Sequence, residues 1–162
     1  MIQIPPEHPG LYSVNISPAM DKFISIVTVV VYFILGIICL IMASKSIFSK
    51  KYLPFHEAAA DKQWDKIDER LQYVILTILK ISGLGFLVVF LLLTVVPVFN
   101  YFNPDPVIEF LVPAIAFIFC LGLFIFNFQL YKKTNVRTPW GGSLMVMIII
   151  LVNIILSIIR PH

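Results

Sequence analysis

The side chains that could do chemistry in this chain are few and scattered. His56, Glu57, Asp61 and Asp65 offer ligand-type groups at helical spacing, and Lys80 is a cation inside an apolar run. A metal centre needs three or four converging donors, held in place by further hydrogen bonds. Only His56 is a strong transition-metal donor near those acids, because His8 and His162 fall on the opposite side of the predicted topology. The expectation is a solvated charged face with no metal and no cofactor. General acid–base work on a lipid, with His56, Glu57 and Asp61 at the interface, needs groups fixed in geometry against a substrate. The sequence offers only their spacing. Cys39 and Cys120 both lie in apolar runs, at similar depth from one membrane face, so a contact between the first and third spans is available to them. Membrane thiol oxidoreductases use paired, accessible cysteines of the C-x-x-C kind, whereas a lone cysteine packs as a small apolar side chain. No catalytic residue is assigned, and the chain reads as more like a non-enzyme than an enzyme.

The elements that would position these residues are read from hydropathy. The chain has 162 residues, of which 59% are hydrophobic and only 13% charged, whereas soluble domains carry about 25% charged residues. Four long apolar stretches, about 23–47, 71–99, 107–131 and 141–159, account for most of it. Since a bilayer core of roughly 30 Å takes about 20 helical residues to cross, each stretch has the length of a transmembrane helix. The expected fold is all-α: a single four-helix transmembrane domain over 1–162, with a cytoplasmic amphipathic helical extension in 48–70 before the second span. The N-terminal segment lacks the basic start of a signal peptide, so the first span is expected to insert as its own uncleaved signal.

Charge sets the orientation. The first loop carries Lys45, Lys50, Lys51, Lys62, Lys66 and Arg70, and the third carries Lys132, Lys133 and Arg137. The opposite side has Lys22 and Arg160, with the acids Glu7, Asp21, Asp105 and Glu109. By the positive-inside rule the segments 48–70 and 132–140 are cytoplasmic, and both termini lie outside an inner or plasma membrane. Ser17 and Pro18 are suited to start the first helix, with Asp21 complementing its positive end. Lys80 is expected near the cytoplasmic headgroups, with the second helix projecting past the bilayer; the alternative is a buried cation lining a polar path.

The segment Glu57–Ile78 has the sharpest periodicity. Ala60, Trp64, Ile67, Leu71, Val74 and Ile78 recur at spacings of four and three beside an acidic row and a basic row. This pattern predicts one amphipathic helix, with Lys62–Asp65 and Lys66–Glu69 able to pair along it. It could lie on the membrane surface, present its stripe to a second copy or a partner helix, or cap the bundle. Within the spans, Thr28, Ser82, Thr94, Asn127 and Asn153 could hydrogen-bond between helices, and Ser82, Gly83 and Gly85 give the second helix a small-residue surface. Asn153 is the deepest of the polar residues.

The run Tyr52-Leu53-Pro54-Phe55-His56, followed by Ala59, Trp64, Asp68 and Gln72, then Gly83 and Gly85, and Pro139-Trp140 before the last span, resembles a recurring pattern. It is that of an uncharacterised family of small bacterial four-helix integral membrane proteins. The resemblance implies architecture and carries no activity. The leading functional expectation is a non-enzymatic accessory, assembly or scaffold subunit of a membrane complex. Its partners are then the lipid bilayer and a second copy or another membrane subunit, not nucleic acid. Lys80, Asn153, His56, Trp64, Ile67 and Leu71 are the candidate functional or contact residues. The alternative is an oligomeric channel or transporter for ions or small solutes, with Lys80, Asn127 and Asn153 on the path. A lipid-acting enzyme stands third.

Overall fold

The computed structural model describes residues 18–159, and 86% of them are helical with no strand. Five α-helices follow in order: α1 Pro18–Ile47, α2 Pro54–Ala60, α3 Glu69–Phe102, α4 Pro106–Thr134 and α5 Trp140–Ile159. A 3₁₀ turn, Trp64–Lys66, stands between α2 and α3. Three helices are long and apolar enough to cross a membrane: α1 from Lys22, α3 and α4. The apolar part of α5, Trp140–Leu156, is shorter.

Local chemistry explains the helix ends. The Asp68 carboxylate accepts from the Arg70 amide at 3.1 Å and caps α3, and Asp105 accepts from the Val107 amide at 2.8 Å and caps α4. Pro106 occupies the first turn of α4, where its missing amide proton costs nothing. Asp61 (φ 49°) ends α2 and Asn135 (φ 54°) ends α4, both left-handed, a conformation that Asp and Asn tolerate best after glycine. Pro97 and Pro113 are carried inside α3 and α4. α1 is described from Pro18 onward, so the helix start expected at Ser17 and Pro18 falls at the edge of the described residues, with Ser17 outside them.

Packing is organised as two antiparallel hairpins. α1 lies along α3, α5 lies along α4, and α3 meets α4 over a narrower seam. Glycine fixes the first pairing. A Cβ on Gly36 would sit 2.5 Å from Thr94 Cγ2, and one on Gly83 would sit 2.7 Å from Ile47 Cγ1 and 3.0 Å from Ser46 Cβ. From Gly36 to Ile47 and from Gly83 to Thr94 the chain advances equally, so one register holds over about 16 Å of helix. In the second hairpin, the Thr138 hydroxyl donates to the Asn127 carbonyl at 2.8 Å. The Trp140 ring stands 6.3, 5.7 and 6.1 Å from those of Phe124, Phe128 and Tyr131. The core joins all four long helices through Tyr32 and Leu35, Val89 and Leu93, Val112, Ala116 and Cys120, and Ile150. It is narrow. Only 17%, 22% and 22% of the most apolar windows of α1, α3 and α4 are buried, so most of their hydrophobic side chains face outward.

The single amphipathic helix expected from Glu57 to Ile78 does not form. α2 stops at Ala60, Gln63 and Ile67 are extended, and α3 begins only at Glu69. The ion pairs expected along it are absent with the helix that would have aligned them. The physical reason is tertiary bonding, which outweighs local propensity in this stretch.

Candidate functional site

That bonding builds the most organised polar site among the described residues, a folded knot over residues 49–72 at the start of α3. Tyr52 is its centre. Only 3% exposed, it lays its ring edge-on to Trp64 at 4.9 Å, and its hydroxyl donates to the Lys62 carbonyl. Gln72, in the first turns of α3, donates through Nε2 to the Trp64 carbonyl at 2.9 Å and the Ile67 carbonyl at 3.0 Å. The Trp64 carbonyl also accepts from the Ile67 amide at 3.2 Å, while the Ile67 carbonyl, which a continuous helix would have bonded to an amide, is satisfied by this side chain. Ser49 donates to the Lys51 carbonyl, tying the start of the loop. Burial raises the Tyr52 hydroxyl above the ordinary tyrosine value, and the nearby Glu57 carboxylate adds to it.

The candidate residues divide between this knot and the bundle. Trp64 is half-buried against Tyr52, and Ile67 is buried beneath the 3₁₀ turn. Leu71, 51% exposed, points away, so the predicted apolar stripe is split rather than presented as one face. His56 is half-buried beside the Phe55 ring at 4.0 Å, and that burial lowers its pKa below the ordinary histidine value. Asp61 and Asp65 are exposed, and the described residues hold no group of three or more His, Cys, Asp or Glu able to share an ion.

In the bundle, Lys80 is exposed on α3, one turn before Gly83. Asn153 is buried, and its amide donates to the Ile149 carbonyl of its own helix at 2.9 Å. Asn127 donates to Leu123 and Thr94 to Phe90 in the same way, each at 2.8 Å. Cys120 belongs to the core and Cys39 packs against it; both thiols are free. A shallow open hollow of about 570 Å³, lined by Glu69, Arg70, Gln72, Tyr73, Val74 and Leu76, runs along the outside of the first turns of α3.

Sequence reasoning missed Tyr52 and Gln72 as organising residues. The signal for Gln72 is its proximity to Asp68, which marks it as sitting inside a helix start where loop carbonyls gather. Chemically the site is a folding device. Its polar atoms are engaged with backbone, and what it turns outward is a mixed charged surface. Compared with known proteins, the chain matches no family model, no curated protein and no solved structure.

Proposed function

We propose that the chain is a four-span protein of an inner or plasma membrane that serves as a non-enzymatic accessory, assembly or scaffold subunit of a membrane complex. The observation that carries this reading is where the polar side chains go. Thr94, Asn127 and Asn153 give their protons to carbonyls of their own helices, while large apolar residues such as Ile81 and Phe126 stand 62% and 72% exposed on the outside. A surface of this kind suits a bilayer as solvent, where backbone and polar groups must be satisfied internally. α5 supports the fourth span: at 20 residues it covers about 30 Å, and it returns along α4 from beside Phe124 and Phe128. The nine loop cations against Lys22 and Arg160 support cytoplasmic loops and outward termini.

The folded knot then stands in the cytoplasm as a structured platform, which favours contact with another protein over a flexible loop. The placement of Lys80 on the outside of α3, and of Asn153 on its own backbone, weighs against a pathway through one copy of the bundle. The test is blue native electrophoresis and chemical crosslinking of the chain in mild detergent, with mass spectrometry of what copurifies. A species larger than the monomer, containing either a second copy or another membrane protein, is the expected result. A strictly monomeric chain with no copurifying protein overturns the subunit reading.

A further inference from the structure

Exposed cations gather where α1 and α3 meet at the cytoplasmic end of the bundle. Gly83 of α3 faces Ile47 at the end of α1, which sets a level in the molecule. Lys45, Lys50 and Lys51 flank Ile47, and Lys80 lies one turn before Gly83. Lys132, Lys133 and Arg137 close the other hairpin just before Trp140, whose ring packs on the last turns of α4. All seven are exposed, and none of them forms an ion pair among the described residues. Lys132 is set over the Phe128 ring at 5.1 Å. The acids of this end, Glu57, Asp61, Asp65, Asp68 and Glu69, all belong to the knot, together with Lys62, Lys66 and Arg70, and Lys50 and Lys51 lie at its start. That knot is fastened to α3 at Gln72, about 12 Å along the helix beyond Lys80.

The α1–α3 hairpin thus carries a collar of four exposed cations, Lys45, Lys50, Lys51 and Lys80, and the acids of this end follow in residues 57–69. One stripe of α3 continues the collar inward: Lys80, then Leu84, Val88, Leu91 and Val95, the four apolar residues 55%, 56%, 47% and 43% exposed. An ammonium followed by a lipid-length apolar stripe has the form of a phospholipid, with the phosphate at Lys80 and an acyl chain along Leu84 to Val95. We infer that this collar is a binding surface for anionic phospholipid headgroups of the cytoplasmic leaflet, seated around the α1–α3 hairpin at Lys45, Lys50, Lys51 and Lys80. The inference rests on the membrane reading above. A soluble polyanion fits less well, because the four cations of the α1–α3 hairpin adjoin the exposed apolar stripe of α3 rather than lining a groove.

The test uses the intact chain reconstituted in phosphatidylcholine vesicles, with brominated lipids as quenchers of the tryptophans. Trp140 stands at the collar and Trp64 in the knot. Brominated phosphatidylglycerol is expected to quench at a lower mole fraction than brominated phosphatidylcholine, with a preference that weakens as salt is raised. Each cation within the surface potential contributes about fivefold in affinity. The triple variant Lys50→Gln, Lys51→Gln, Lys80→Gln therefore loses most of the preference, and Lys80→Gln alone loses part of it should the triple variant not insert. Asp61→Asn with Asp65→Asn, in the knot, leaves the preference at least as large. Equal quenching by the two lipids, or a preference that survives the lysine substitutions, overturns the inference while leaving the membrane reading intact. Glycerol phosphate added in solution is expected not to compete; competition at equal concentration assigns the site to free phosphate and also overturns it. Quenching by neither lipid, with the chain recovered without detergent, removes the membrane reading itself.

Discussion

His56 illustrates how far a residue's type stands from its role. Beside Glu57 and Asp61 it has the makings of a metal or acid–base site, yet it is half-buried against Phe55, and burial alone lowers its pKa. The folded loop therefore favours the neutral imidazole, and the unfolded loop binds the extra proton in the ordinary histidine range. Stability from this group is complete above that range and is lost as pH falls through it. Limited proteolysis of residues 49–72, or hydrogen exchange of the same stretch, is expected to quicken between about pH 7.5 and pH 5. In His56→Gln the acceleration flattens, because no group remains to take the proton. An unchanged pH profile in the variant would mean that other groups govern the loop. Tyr52 and Gln72 show the converse: neither is a residue type that suggests a metal or acid–base site, and together they fix the loop.

At the scale of elements, the helices were legible as apolar stretches more than through their termini. The stretches read at about 107–131 and 141–159 fall inside α4 and α5. The break inside 57–78 was not legible, since periodicity reports a helix face and takes no account of Tyr52 binding the Lys62 carbonyl from ten residues away. Close helix approach was half legible. The small residues Ser82, Gly83 and Gly85 marked a surface on α3, but which of them touches α1 depends on register. A Cβ at Gly83 meets Ile47 Cγ1 at 2.7 Å and the Ile47 backbone nitrogen at 3.1 Å, whereas nothing lies within 4 Å of one at Gly122. Backbone cannot yield as a flexible side chain does, and overpacking costs about 1–3 kcal/mol. Gly83→Leu is accordingly expected to lower the thermal unfolding midpoint of the detergent-solubilised chain by several degrees, and Gly122→Leu to leave it nearly unchanged. Equal midpoints for the two variants would contradict the α1–α3 register.

The whole molecule turns on whether α5 crosses with the rest, and register bears on this directly. Carried outward from Gly36–Thr94 and Gly83–Ile47, α1 and α3 share a stretch of about 20 residues, or roughly 30 Å, ending near Ile47 on one side and Phe102 on the other. α5 begins beside Phe124 and Phe128 and runs 20 residues back along α4, so the second hairpin offers a stretch of the same length. A bilayer core matches both. Its low-dielectric slab would then separate the cation collar from the loop at Asn103-Pro104-Asp105, and the last span would end on the side of that loop. Single cysteines at Lys50, Asn103, Arg137 and His162 distinguish the possibilities, with Cys39 and Cys120 left in place because they lie within the core packing. A membrane-impermeant maleimide applied to intact cells is expected to label Asn103→Cys and His162→Cys, and to reach Lys50→Cys and Arg137→Cys only after permeabilisation. If His162→Cys follows Arg137→Cys instead, α5 re-enters or lies along the cytoplasmic surface. The chain then has three spans, and the pairing of α5 with α4 would have to occur at the membrane face rather than through it.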